Sequence, residues 1–228
     1  APIGKLLLKL SIPTVIAQLI NMLYNVVDRI YIGHIPGEGS LALTGVGVCM
    51  PIIMIVTAFA ALISSGGAPR ASICMGKQDN KSAEQILGNC FSLQIVVSIV
   101  LTVVLLIWNK DLLMAFGASK NTLGYATDYM RIYALGTLFV QLTLGMNAFI
   151  TAQGFTTTSM VSVLIGAICN ITLDPVFIFV FNMGVKGAAL ATVLSQAIST
   201  IWVVVFLSGK KTQLHLRKKY MGLKPKIL

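Results

Sequence analysis

Long apolar runs, broken by short polar punctuation, set the pattern of this chain. Runs such as Ile95-Val96-Val97-Ser98-Ile99-Val100-Leu101 are continuously apolar. They lack the period-2 alternation that a membrane-spanning strand needs. A bilayer core about 30 Å thick asks for roughly 20 mostly apolar residues per spanning helix. Six stretches qualify, at about 8–33, 43–66, 86–107, 129–152, 158–181 and 187–207. The expected fold is therefore an all-α integral membrane protein with six transmembrane helices over residues 1–208. Residues 209–228 follow as a basic linker.

Punctuation between the runs is specific. Pro13 suits the start of span one, which ends at Gly33 and the turn-rich 36–40 segment. Span two is expected to close at Ser64-Ser65-Gly66-Gly67, with Pro51 as a kink. A polar loop, Gly76-Lys77-Gln78-Asp79-Asn80-Lys81, leads to Ser82, the expected cap of the next helix. A short helical segment on the opposite side is expected over 111–125, and Trp108 is placed at the interface. The short connections make spans four and five, and five and six, expected antiparallel neighbours.

Composition agrees with this pattern: 56% of residues are hydrophobic and only 11% charged, which excludes an ordinary soluble domain. A net charge of +10 first suggests nucleic acid. Its distribution argues against that partner. Lys5 and Lys9 precede span one, Arg70, Lys77 and Lys81 fall around the second connection, and seven Lys/Arg stand from Lys210 onward. With six spans these regions share one side, while the loops of the other side carry Lys110, Lys120 and Lys186, apart from Arg29 and Arg131 near helix ends. The positive-inside rule then puts both ends in the cytoplasm of a multi-pass plasma-membrane protein. The basic tail reads as a retention charge or a lipid-headgroup contact. Four scattered cysteines (Cys49, Cys74, Cys90 and Cys169) have neither metal-site nor disulfide spacing. The methionines read as core packing.

Against this background two carboxylates stand out. Asp28 and Asp174 each lie inside an apolar span, where a charge costs several kcal/mol and marks a functional site by default. Gln18, Asn21, Asn25 and Asp28 recur at steps of three and four, one face of a helix, with Tyr24 adjacent. Polar glue between helices accounts for one or two amides. A stripe ending in a carboxylate points instead to a water-lined cavity. Arg29 is expected to face the headgroups. In span five, Asn170 and Asp174 are one turn apart, and Pro175 frees the carbonyl of Ile171. Such oxygens suit a small hard cation, as in the broken helices of transporters. A proline kink beside a protonated acid fits the same residues, so Na⁺ and H⁺ both remain open. In span six, Thr192, Ser195, Gln196 and Ser199 share a face, open to either a hydroxyl ligand or close packing. Gln141 and Asn147 in span four read as interhelical hydrogen bonders, with Asn147 also a candidate cavity-lining residue.

These residues carry a family resemblance. The Asn21-Met-Leu-Tyr24-Asn25-Val-Val-Asp28 segment, followed by Ile30-Tyr31-Ile32-Gly33, resembles the first helix of the multidrug and toxic compound extrusion family. So do the Gly76-Lys77 loop after Arg70, Asn170-x-x-x-Asp174-Pro175, and Gly184-x-x-Gly187-Ala188-Ala189-x-Ala191-Thr192. The resemblance implies an antiporter, not an enzyme. It would export amphipathic or cationic small molecules by alternating access, need no cofactor, and be driven by H⁺ or Na⁺. It also implies an ion or proton site at Asp28, Asn170, Asp174 and Thr192, with Tyr24 beside it. Asp28, Asn170 and Asp174 would be the Na⁺ ligands in a sodium-coupled member. Family members have twelve spans in two lobes, so the chain is expected to be the N-terminal lobe, its C-terminal lobe lying elsewhere in the same polypeptide. A dimerising half-transporter is the other possibility. Alternative functions are a lipid-linked saccharide flippase, an intramembrane aspartyl protease and a non-transporting scaffold. The flippase would suggest basic side chains in the spans, and neither aspartate has the sequence surroundings of the protease.

Overall fold

Water is absent from a bilayer core, so a spanning backbone must satisfy its own N–H and C=O groups, and helices do this locally. The computed structural model of the chain describes residues 3–223. Residues 1–2 of the predicted lobe and 224–228 of the predicted linker lie outside the described residues. Among the described residues, six helices are long and apolar enough to cross a membrane. They are α1 (Ile3–Gly33), α2 (Gly39–Gly76), α3 (Asn80–Ile107), α5 (Leu123–Ala152), α6 (Thr156–Pro175) and α7 (Val185–Ser208). A short helix, α4 (Asn109–Ala115), links α3 to α5, and a π-helical turn (Val176–Val180) continues α6. No strand occurs among the described residues.

Several helix ends differ from the expectation. Pro13 lies well inside α1 rather than at its start. Helix α2 runs ten residues past Gly66, so Arg70 is helical rather than in a loop. The Gly66-Gly67 pair is not a stop: Gly66 faces open space, and Gly67 is a packing notch. A Cβ on Gly67 would collide with Cys90 Sγ and lie 2.9 Å from Phe149 Cζ, so its absence lets α3 and α5 close on α2. The cap of α3 is Asp79 rather than Ser82: its carboxylate accepts from the Ser82 N–H at 3.1 Å. Hydrogen bonds from the Ser82 side chain and backbone hold the Asp79 carboxyl below the usual carboxylate range. The expected 111–125 segment divides between α4 and the first turn of α5.

Helix α5 is the most buried span and α1 the least. α2, α3 and α7 pack around α5, while α1 packs mainly on α6 and α6 on α7. Spans four and five are thus only minor neighbours, because α7 sits closer to α5 than α6 does. Glycine shapes these contacts: a Cβ on Gly136 would collide with Val193, and one on Gly145 with the buried Gln94 amide. Two apolar clusters result. One gathers Ile32, Val46, Leu113, Met130 and Ile178 near one end of the bundle, and the other gathers Leu87, Phe149, Leu207 and Leu214 near the opposite end. Between them runs a hydrogen-bonded layer. Gln141 Nε2 donates to Val56 O at 2.7 Å, Thr200 Oγ1 to Phe139 O at 3.0 Å, and the Thr143 and Thr200 hydroxyls meet at 2.8 Å. The methionines divide: Met130 and Met146 are in the core, whereas Met22 and Met54 point outward.

Beyond α7 the chain does not trail away. Residues 209–223 fold back over the ends of α5 and α3 as a strap. Gln153 Oε1 accepts from Thr212 Oγ1 (2.8 Å), Gln213 N (2.9 Å) and Leu214 N (2.9 Å). The Glu84 carboxylate accepts from His215 N at 3.3 Å and pairs with Arg217 Nε at 3.1 Å. Leu214 is fully buried beneath these polar fastenings.

Two outcomes are expected. Gly187 abuts the π turn, where an added Cβ would lie 2.7 Å from the Phe177 carbonyl carbon. Gly187→Ala should cost about 1–3 kcal/mol of overpacking, read as a lowered melting temperature in detergent. Gly124→Ala, where nothing stands within 4 Å, should not lower it. Gln153→Ala removes three acceptor contacts from the strap at once. Limited trypsin digestion after Lys211 and Arg217 should speed up about tenfold, each lost hydrogen bond counting about 0.5–1.5 kcal/mol.

Candidate functional site

The polar stripe of α1 faces the bundle as its spacing requires, but not along its whole length. Asn21, Tyr24, Asn25 and Asp28 line a cavity of about 210 Å³. Within the stripe, Asn25 Nδ2 donates to Asn21 O at 2.6 Å. Gln18 is exposed and lies outside this wall. At 100° per residue it is rotated about 80° from Asp28, enough to leave the inward face. Arg29 points outward, as expected, with its guanidinium on Met50 Sδ at 3.0 Å.

The opposite walls come from α5, α6 and α7. Helix α5 supplies Tyr129, Tyr133 and Asn147, whose Nδ2 also donates to Ser162 Oγ of α6 at 2.8 Å. Asn147 is therefore both a cavity residue and a helix-to-helix fastening. Helix α7 contributes Thr192, Ser195, Gln196 and Ser199, the full polar set read from span six. Ser199 Oγ donates to Ser162 O at 3.0 Å, and a Cβ on Gly166 would crowd that hydroxyl at 2.6 Å. Packing and cavity lining thus coincide on this face. Gln141 stays outside the wall as an interhelical hydrogen bonder.

Asn170 and Asp174 lie one layer behind the cavity, both essentially without solvent exposure. The Asn170 amide ties the cluster: Nδ2 donates to Asp174 Oδ1 at 3.3 Å and to Thr192 Oγ1 at 3.4 Å. The Asp28 and Asp174 side chains face one another closely enough to interact directly. Asp28 touches both spaces, since it lines the cavity in front and meets Asp174 behind. Three buried oxygens in this cluster (Asp28 Oδ1, Asn170 Oδ1 and Asp174 Oδ2) have no hydrogen-bond partner among the described residues. Two carboxyl groups at this range repel unless a proton or a cation sits between them, and unpaired oxygens of this kind are hard-cation donors. Below Asp174, Pro175 ends the α-helix and the π turn begins, a local break of the kind found at functional sites. No group of three or more His, Cys, Asp or Glu with metal-site spacing occurs among the described residues.

Sequence reasoning missed two members of the site. Tyr129 and Tyr133 stack at 6.3 Å with planes 14° apart, and the Tyr129 hydroxyl lies against Thr192. Their i, i+4 spacing was visible, but Tyr129 was the first residue of the predicted span. Because α5 starts six residues earlier, at Leu123, Tyr129 lies well within the bundle.

Comparison with known proteins agrees with this geometry. The MatE family profile matches residues 13–176. The chain is 28% identical over 218 residues to the multidrug export protein MepA of Staphylococcus haemolyticus, covering 96% of this chain and 48% of that protein. It is 25% identical over 206 residues to the MepA of Staphylococcus aureus, covering 90% of this chain and 45% of the relative. Among solved structures, it superposes on an outward-facing multidrug resistance MATE family transporter of the MOP superfamily with TM-score 0.89 and 26% identity. That match covers 98% of this chain and 49% of the other. A MOP superfamily transporter from Pyrococcus furiosus, described as having a binding pocket of reversed polarity, also matches with TM-score 0.89 and 26% identity. It is covered to the same extents. The chain thus spans about half the length of the curated relatives it matches. A profile match over most of the chain, on a fold shared with solved MATE transporters, places it in the MatE family.

Proposed function

We propose that this chain is the N-terminal, six-helix half of a cation-coupled antiporter that exports amphipathic or cationic small molecules. One observation carries the reading. Among the described residues, the only charged one in the cavity wall is the acid Asp28, and a second acid, Asp174, backs it. A negative charge in a low-dielectric cavity attracts organic cations. A buried acid pair that needs a proton or a small cation between its members supplies the coupling site. Asp28, Asn170, Asp174 and Thr192 form that site in this proposal, and the three unpaired oxygens suit Na⁺ as donors and H⁺ as acceptors. The relatives named as multidrug exporters support the substrate class.

The mechanism follows from sharing. Asp28 belongs to both the cavity and the buried cluster, so a coupling ion held between Asp28 and Asp174 withdraws charge from the substrate space. Ion binding then biases the lobe only to the extent that it binds one conformation more tightly than the other. The second half of the longer polypeptide closes the other side of the substrate path in this reading. The absence of basic residues from the described cavity wall speaks against a lipid-linked saccharide substrate, whose phosphates would call for Lys or Arg.

Transport is the direct test. Intact gene product in inside-out vesicles should accumulate a fluorescent organic cation under an imposed Na⁺ or pH gradient. Asp28→Asn and Asp174→Asn, at equal membrane abundance, should each lower gradient-driven accumulation about 5–150-fold, the span of a typical coupling energy. Undiminished transport in both variants would sink the coupling role.

The arrangement of charge predicts a cytoplasmic location for both ends of the segment. A membrane-impermeant maleimide applied to whole cells should label Lys120→Cys and not Lys81→Cys, beyond any labelling of the unmodified protein. The reverse pattern would invert the topology.

A further inference from the structure

We infer that the end of α7 carries a binding site for one anionic phospholipid, built from Lys210 and Lys211 over an apolar groove. The groove holds about 350 Å³, and Trp202, Val205, Phe206 and Gly209 form the rest of its wall. No carboxylate lines it among the described residues. Trp202 and Val205 face outward from the bundle at the end of a spanning helix, where acyl chains meet headgroups. Phe206 is fixed edge-on against Phe155 at 5.3 Å, so the floor of the groove is preformed.

The two lysines are held rather than free. On one side, Gly209 closes the last turn of α7 through its N–H to Phe206 O at 3.1 Å. A Cβ there would press on Val205 O at 3.2 Å. On the other side, Thr212 is buried and pinned by its hydroxyl to Gln153 Oε1 at 2.8 Å. Lys210 and Lys211 therefore form a two-residue bridge fastened at both ends, with their side chains on the groove. In this proposal their ammonium groups pair with the phosphate of a lipid whose acyl chain occupies the apolar trough. Charge and shape select an anionic diacyl phospholipid over a zwitterionic one, which would add a repelled cation at the same point. The basic residues farther along the strap behave differently. Arg217 is engaged by Glu84, and Lys219 lies over the Tyr220 ring at 5.6 Å.

This site is independent of the export reading, and its test does not use transport. The intact, delipidated gene product is reconstituted into phosphatidylcholine vesicles containing phosphatidylglycerol brominated on its acyl chains. Quenching of Trp202 fluorescence, taken as the difference from Trp202→Phe, reports a chain in the groove. Brominated phosphatidylglycerol should quench more strongly than brominated phosphatidylcholine at the same mole fraction. The K210Q/K211Q double variant should weaken the apparent affinity for phosphatidylglycerol about tenfold or more. K210R/K211R should restore it, which separates loss of charge from loss of fold. K218Q/K219Q, with the same change in net charge, should leave it intact. Equal quenching by both lipids, or equal loss in the two Gln double variants, would reduce the effect to general attraction between a basic tail and the membrane and overturn the site. A Trp202 shielded from both lipids would mean that another part of the polypeptide covers the groove, and would overturn it equally.

Discussion

Hydrocarbon offers no hydrogen-bond partner, and that absence organises the whole bundle. Each backbone group is satisfied within its own helix, and each buried side-chain polar group must find a partner on a neighbour or remain costly. The layer between the two apolar clusters obeys this rule: Gln141 reaches Val56 O, Thr143 meets Thr200, and Asn147 meets Ser162. These contacts tie α5 to α2, α7 and α6 at mid-depth. Other buried polar atoms also lack a partner among the described residues, Gln141 Oε1 and Asn147 Oδ1 among them, but the oxygens of Asp28, Asn170 and Asp174 differ in lying together around two carboxyl groups.

The two acids differ in position. Asp174 is sealed behind the cavity wall, while Asp28 belongs to the wall itself. A charge change on the sealed member is therefore felt by the cavity-lining one through a few ångströms of low-dielectric space. The Asn170 amide and Thr192 hydroxyl connect the pair to α7, and the Tyr129 hydroxyl extends the contact to α5. Four of the six spans thus meet at one small cluster. Just below it the helix geometry changes from α to π, and Gly187 lets the start of α7 lie against that turn.

Much of this was legible in the chain itself. The apolar runs gave six spans, and the steps of three and four gave inward faces holding Asn21, Asn25 and Asp28 and the α7 set from Thr192 to Ser199. The same local rules erred where packing overrode them. Gly66-Gly67 has the composition of a helix end, yet the helix runs on and Gly67 is a notch filled by Cys90 and Phe149. Gln18 keeps the right spacing but drifts off the inward face, because 3.6 residues per turn do not divide a ten-residue stripe evenly. Gln153 and Glu84 gave no local sign that they would fasten the strap beyond α7. Their partners stand about 60 and 131 residues away.

By itself, the sequence determined that the chain is a bundle of six spanning helices with acids at membrane depth, because burial in lipid depends on local composition and period. Only the tertiary structure decided that Asp28 and Asp174, on helices α1 and α6 and 146 positions apart by their numbers, stand face to face. It alone also brought Tyr129 to Thr192 and placed Lys210 and Lys211 over a groove. Such pairings depend on which helices become neighbours. That choice is made by small residues and long-range side-chain contacts whose effect no local period records.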